Sequence, residues 1–139
     1  MTNEGLERDI TSLLASVNRI AGYPLSLVCT EQGLLLAAAG DARRTEIMGG
    51  LTSLFDDIVS RATRDLGFTR VDELTLTDSD GTRYVIRPLP MRIDARLFLV
   101  VLVPQKVSWR KYTNLLCTQL SALLEPFMRQ ATPGGVQDV

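Results

Sequence analysis

Histidine is absent from the 139 residues. That removes the side chain most used as a general base, the Ser-His and Cys-His nucleophile pairs, and most zinc sites. Cysteine occurs twice, at Cys29 and Cys117, too few for a metal site made of cysteine alone. Both lie among apolar residues and read as buried thiols. A disulfide between them needs Cα atoms about 4.4–6.8 Å apart, a distance that no sequence gives. Lysine also occurs twice, at Lys106 and Lys111, and the net charge is −1. With neither a basic balance nor a basic stripe, nucleic acid is not an expected partner. No apolar run reaches the roughly 20 residues that span a bilayer, so no membrane insertion is expected. The opening MTNEGLERDI is polar and lacks a basic stretch leading into an apolar one. It does not read as a signal peptide, and the expected compartment is the cytoplasm.

The acidic pairs and glycine pairs also fall short of chemistry. Neighbours on a helix point about 100° apart, so Asp56-Asp57 reads as a solvated face and not an acid–base dyad. Asp78-Ser79-Asp80-Gly81 has Gly fourth, and the twelfth residue counted from Asp78 is Leu89. A calcium loop needs Gly at six and Glu at twelve, so this is read as a hairpin turn. Gly49-Gly50 belongs to neither GxxxxGK[ST] nor GxGxxG. No cofactor, no metal and no enzymatic activity are therefore expected. Arg83, Arg87, Arg92 and Arg96 offer a basic patch for an anionic partner or lipid headgroup. Solubilising charge, with Arg83 and Arg87 on the solvent side of one strand, is the preferred reading.

What the chain does have is apolar periodicity, with 45% hydrophobic residues. That is enough for one domain, taken as residues 1–131, ahead of a polar Gly/Pro-containing tail at 132–139 that reads as disordered. Leu6, Ile10, Leu13, Leu14, Val17 and Ile20 mark a helix over 4–21, with Asn3 as its cap and Gly22 and Pro24 ending it. LSLVCT (25–30) and LLLAA (34–38) flank Glu31-Gln32-Gly33 and read as a hairpin, apolar enough for a sheet covered on both faces. Strands are predicted at 71–77, 82–89 and 96–103, the last a candidate central strand because it is apolar throughout. A final helix at 108–130 has Ser108 as cap and a stripe of Trp109, Tyr112, Leu116, Leu120, Leu123 and Phe127, with Pro126 fraying or kinking its end. Hairpins imply antiparallel pairing, so the expected class is α+β: an α-β-β-α-β-β-β-α layered fold on a five-stranded, mostly antiparallel sheet.

The helix predicted over 44–66, ending at Gly67, carries more apolar surface than one sheet needs. Ile47, Met48, Leu51, Leu54, Phe55, Ile58, Val59, Ala62 and Leu66 fill an arc of roughly 140°, wider than the stripe of about 100° that one buried face requires. Gly49 and Gly50 each cost about 1 kcal/mol relative to Ala inside a helix. Close approach of another backbone is one reason to keep them.

With this order in place, the sequence resembles the Roadblock/LC7 family, of the bacterial GTPase-regulating type. The likeness lies in the element order, the hairpin LSLVCTEQGLLLAAAG, the long helix after it, and DGTRYVIRPLPMRIDARLFLVVLV, and it spans residues 4–130. It implies one helix on one face of the sheet and two on the other. It also implies a homodimer, with helix 44–66 packed on its mate and strand 71–77 paired with its mate. The interface residues so implied are Met48, Leu51, Phe55, Ile58, Val59, Leu74 and Leu76. Thr52, Asp56, Ser60 and Arg64 are the exposed candidates for contacting a partner. The function implied is a non-enzymatic regulator or adaptor of a small Ras-like GTPase, a role that in the gliding-motility type includes stimulating GTP hydrolysis. Two other readings stay open: a small-molecule sensor of profilin-like or PAS-like architecture, and a scaffold joining other roadblock proteins.

Overall fold

The structure is a computed structural model and describes residues 3–131; the tail expected at 132–139 lies outside them. The elements are α1 (Asn3–Ala21), β1 (Leu25–Thr30), β2 (Leu35–Ala39), α2 (Ala42–Asp65), β3 (Leu74–Thr77), β4 (Arg83–Pro88), β5 (Leu97–Val103) and α3 (Arg110–Ala131). The strands form one antiparallel sheet in the order β2-β1-β5-β4-β3. All seven residues of β5 are buried, as its uninterrupted apolar run requires of a central strand.

Strand alternation sends side chains to two separate cores. On one face, Val28, Val85, Leu99 and Val101 meet Leu6, Ile10, Leu14 and Val17 of α1 and Leu116, Leu120 and Leu124 of α3. On the other, Leu27, Cys29, Ile86, Phe98 and Val100 meet Met48 and Phe55 of α2. Cys29 and Cys117 are both buried and free, and they belong to different cores.

The boundaries depart from the sequence reading where polar groups take over. Asp41 caps α2, accepting from the backbone N–H of Arg43 (2.9 Å) and Arg44 (3.4 Å), so the helix starts two residues earlier than read. Ser108 does not cap α3: the Thr113 N–H donates to the Trp109 carbonyl, and the helix begins at Arg110. The buried stripe of α3 is Thr113, Leu116, Cys117, Leu120 and Leu124, with Leu123 only half-buried. The helix continues through Pro126 to Ala131. β2 begins one residue late and is an edge strand; Ala37 packs into one core and Ala38 against the other, so both faces are covered, but incompletely, and Leu34 beside it is exposed. β3 has only four residues in place of seven; ahead of it Asp72 is engaged by Arg87 of β4 and Glu73 by Trp109, the residue before α3.

The α2 glycines divide between two roles. Gly33, at φ +87°, turns the β1–β2 hairpin onto α2, and a Cβ there would lie 2.6 Å from the Gly49 carbonyl oxygen. Gly49 thus answers an approach from within its own chain, whereas a Cβ on Gly50 meets nothing. Gly33→Ala is expected to cost about 3 kcal/mol, from left-handed strain and overpacking against a backbone that cannot yield. Gly50→Ala is expected to gain up to about 1 kcal/mol in the isolated chain. Urea denaturation of both variants checks the contrast.

Candidate functional site

α2 carries two apolar stripes, and this explains the excess width of its arc. At about 100° per residue the two lie about 100° apart. One, made of Met48, Thr52, Phe55 and Val59, turns to the sheet. The other, made of Ile47, Leu51, Leu54 and Ile58, faces outward with exposures of 57%, 37%, 59% and 48%. An exposed apolar strip of this kind marks an interaction surface. Beyond the helix, Leu66 and Phe68 are also exposed, and Leu76 is exposed on β3. β3 is an edge strand, so its outer rim has no strand partner among the described residues.

Of the interface residues implied by the resemblance, Leu51, Ile58 and Leu76 are open. Met48 and Phe55 are buried under α2, and Val59 and Leu74 are partly buried against the same core. Met48 and Phe55 therefore hold the helix to its own sheet. Ile47 and Leu54 take their place on the outward ridge; the spacing 47, 51, 54, 58 carried that signal, but it was merged with the inner stripe.

The partner-contact residues are corrected in the same way. Thr52 is fully buried. Its hydroxyl donates to the Met48 carbonyl (3.0 Å) and accepts from the Cys29 thiol (3.1 Å), so a polar group sits in an apolar core with its hydrogen bonds made. Burial pushes the Cys29 thiol up to about 11, against the smaller opposing effect of the Thr52 contact. Asp56 is mostly covered, because its carboxylate binds Arg96 at 2.5 Å, and Arg96 reaches Glu31 as well at 3.0 Å. Ser60 is half-buried, and Arg64 is exposed and paired with Asp65.

The four arginines are dispersed, so the alternative of one basic patch does not hold, but two of them are not solubilising surface charges either. The face of β4 bearing Arg83 and Arg87 is the one covered by α1 and α3, not the solvent side. Arg83 stacks over the Trp109 ring, 4.8 Å from its centroid. Arg87 is buried and donates to the Asp72 carbonyl and carboxylate, to the Thr113 hydroxyl, and to the Asn114 side-chain oxygen at 2.6 Å. Arg96 lies by α2, and Arg92 lies in the β4–β5 loop.

Asp72 also accepts from Arg110 at 2.8 Å, so two arginines and one carboxylate tie the approach to β3 onto α3. The Arg110 hydrogen bond first, with Arg87 adding to it, holds the Asp72 carboxyl below its usual value. A lowered folded-state value contributes stability that is present above the unfolded value of about 3.9 and lost as pH falls through the folded one. The stability gap between the wild type and Asp72→Asn is therefore expected to be open at pH 6 and to close below about pH 4. Urea midpoints of the two proteins across that range test it.

The three helices and the strand order β2-β1-β5-β4-β3, with α2 alone on one face, make this the Roadblock/LC7 fold. Three similar solved structures are MglB of Myxococcus xanthus, an MglB with tetrameric arrangement, and a Roadblock/LC7 domain from Streptomyces avermitilis. The first is 15% identical, with TM-score 0.71, covering 95% of this chain and 96% of that one. The second is 12% identical, with TM-score 0.74, covering 87% and 91%. The third is 14% identical, with TM-score 0.69, covering 85% and 96%. At such identities the likeness defines the fold. No family model matches the sequence, and no curated protein matches it. Among the described residues, no helix is long and apolar enough to cross a membrane.

Proposed function

We propose that the protein is a non-enzymatic homodimer that regulates or adapts a small Ras-like GTPase. The observation carrying the dimer is the ridge Ile47, Leu51, Leu54, Ile58 on α2. Its spacing of four, three and four residues reads the same in both directions. A two-fold axis between Leu51 and Leu54 sets Ile47 of one copy against Ile58 of the other, and Leu51 against Leu54. An isologous interface requires that self-complementarity. Gly50 lies beside the ridge with open space where a side chain would be, leaving a notch for the second helix. The free edge of β3 lets the two sheets join, which removes an edge that would otherwise invite non-specific pairing. Such a dimer buries on the order of 1,600 Å² or more.

The GTPase enters through the sequence resemblance to bacterial roadblock regulators, and the fold shared with MglB supports it. Paired α2 helices give a broad platform whose rim carries the exposed charges Arg43, Arg44, Asp57 and Arg61. Light scattering after size exclusion, with a small GTPase encoded beside this protein, tests the reading. Complex formation is expected with the GTP-analogue form and not with the GDP form. A dimer that ignores the GTPase in both states would instead fit a scaffold for other roadblock proteins.

A further inference from the structure

A groove of mixed polar and apolar lining runs along the C-terminal half of α3, on the sheet face opposite α2. Two hollows of about 400 and 430 Å³ share Arg92 and Glu125 as lining. One wall is the β4–β5 loop, whose Arg92 N–H donates to the Glu125 carboxylate at 2.7 Å. That bond fixes the loop to the helix and engages the one carboxylate lining the groove. Pro90 and Pro126 give it stiff apolar margins.

Two features of the groove point to a ligand. Arg92 and Arg129 both line it, and neither guanidinium has an ionic partner among the described residues. Ser121 lines it too, is 7% exposed, and has a buried hydroxyl without a hydrogen-bond partner. Serine and threonine inside helices commonly bond the carbonyl four residues back, as Thr118 does to Asn114. Ser121 does not, so its donor remains available in the hollow that Arg92 also lines, with Arg129 about two helical turns further along.

The shape selects among anions. The lining runs from Thr118 to Arg129, roughly 16 Å of helix, which matches about five residues of extended chain. A single oxyanion would fill a small part of it. Guanidinium forks match carboxylates in bidentate geometry. We propose that this groove binds a short extended peptide segment rich in carboxylates, contributed by another protein. Arg92 and Arg129 would hold its acidic side chains, and Ser121 would donate to a carbonyl or carboxylate oxygen. Lying across the sheet from α2, the groove stays open while the α2 platform is occupied.

The probe is acetyl-Glu-Asp-Glu-Asp-Gly-amide, titrated at low salt into the isotope-labelled full chain and followed by amide NMR shifts. The shifts are expected to centre on Arg92, Ser121, Glu125 and Arg129, and to weaken as salt is raised. Arg92→Gln combined with Arg129→Gln is expected to lower affinity at least about tenfold while leaving distant resonances in place, since two charge-assisted contacts are removed. Ser121→Ala is expected to weaken binding without changing its salt dependence. Absence of binding, shifts centred on α2, or unchanged affinity in the double variant would overturn the proposal. So would inorganic phosphate producing the same shifts at the same concentration, because the groove would then be a simple anion site.

Discussion

Leu54→Asp is expected to convert the proposed dimer into a folded monomer, raising the dissociation constant about a thousandfold. Leu54 stands on the outward stripe, 59% exposed in the single chain, and makes no part of either core. Its replacement should change the stability of the isolated chain by no more than about 1 kcal/mol. In a two-fold interface, however, every substitution appears twice. Each copy loses a buried leucine at the centre of the contact and places a carboxylate against an apolar surface, at about 2 kcal/mol per copy. The sum, about 4 kcal/mol, is close to three decades in affinity. Sedimentation equilibrium over a wide concentration range measures it, with circular dichroism confirming that the variant is folded.

Phe55→Ala, one residue along, should act on the other side of the helix. Phe55 is 6% exposed and packs with Met48 against Leu27, Ile86, Phe98 and Val100. Removing its ring leaves a cavity under α2, and truncations of this kind cost about 3–5 kcal/mol. That is a large part of the 5–15 kcal/mol typical of a whole domain. Because dissociation of the proposed dimer would couple to unfolding, the comparison belongs in the Leu54→Asp background, where stability is expected not to depend on protein concentration. Urea denaturation there should give the full loss. A loss under about 1 kcal/mol would mean that α2 is not held to the sheet by this side chain.

These adjacent residues show how far the sequence could be read. The backbone plan was legible because each element announces itself locally. Leu25–Thr30 is a dense apolar run, Gly33 and Gly81 sit at turns with positive φ, and Gly67 follows the end of α2. The excess apolar arc of α2 was legible too. Its division was not, since an inward Phe55 and an outward Leu54 both count as apolar, and only the placement of the sheet separates them. Buried polar groups were the other failure. Thr52 looks like a surface residue until the Met48 carbonyl and the Cys29 thiol are seen around its hydroxyl. Arg87 looks like a solvent-side charge until Asp72, Thr113 and Asn114, drawn from 15 to 27 residues away, take up its donors. Partners at that separation leave no trace in a local pattern. The same clasp holds Asp72, and Trp109 holds Glu73, ahead of the start of β3, where alternation alone includes both in the strand.

A second copy on the outward stripe of α2 can be read directly by light scattering after size exclusion, with the wild type and Leu54→Asp run side by side. The wild type is predicted at twice the chain mass of 15.3 kDa and the variant at the chain mass itself. A wild type that runs as a monomer, or a Leu54→Asp variant that stays dimeric, would contradict the assignment of this helix face to self-association.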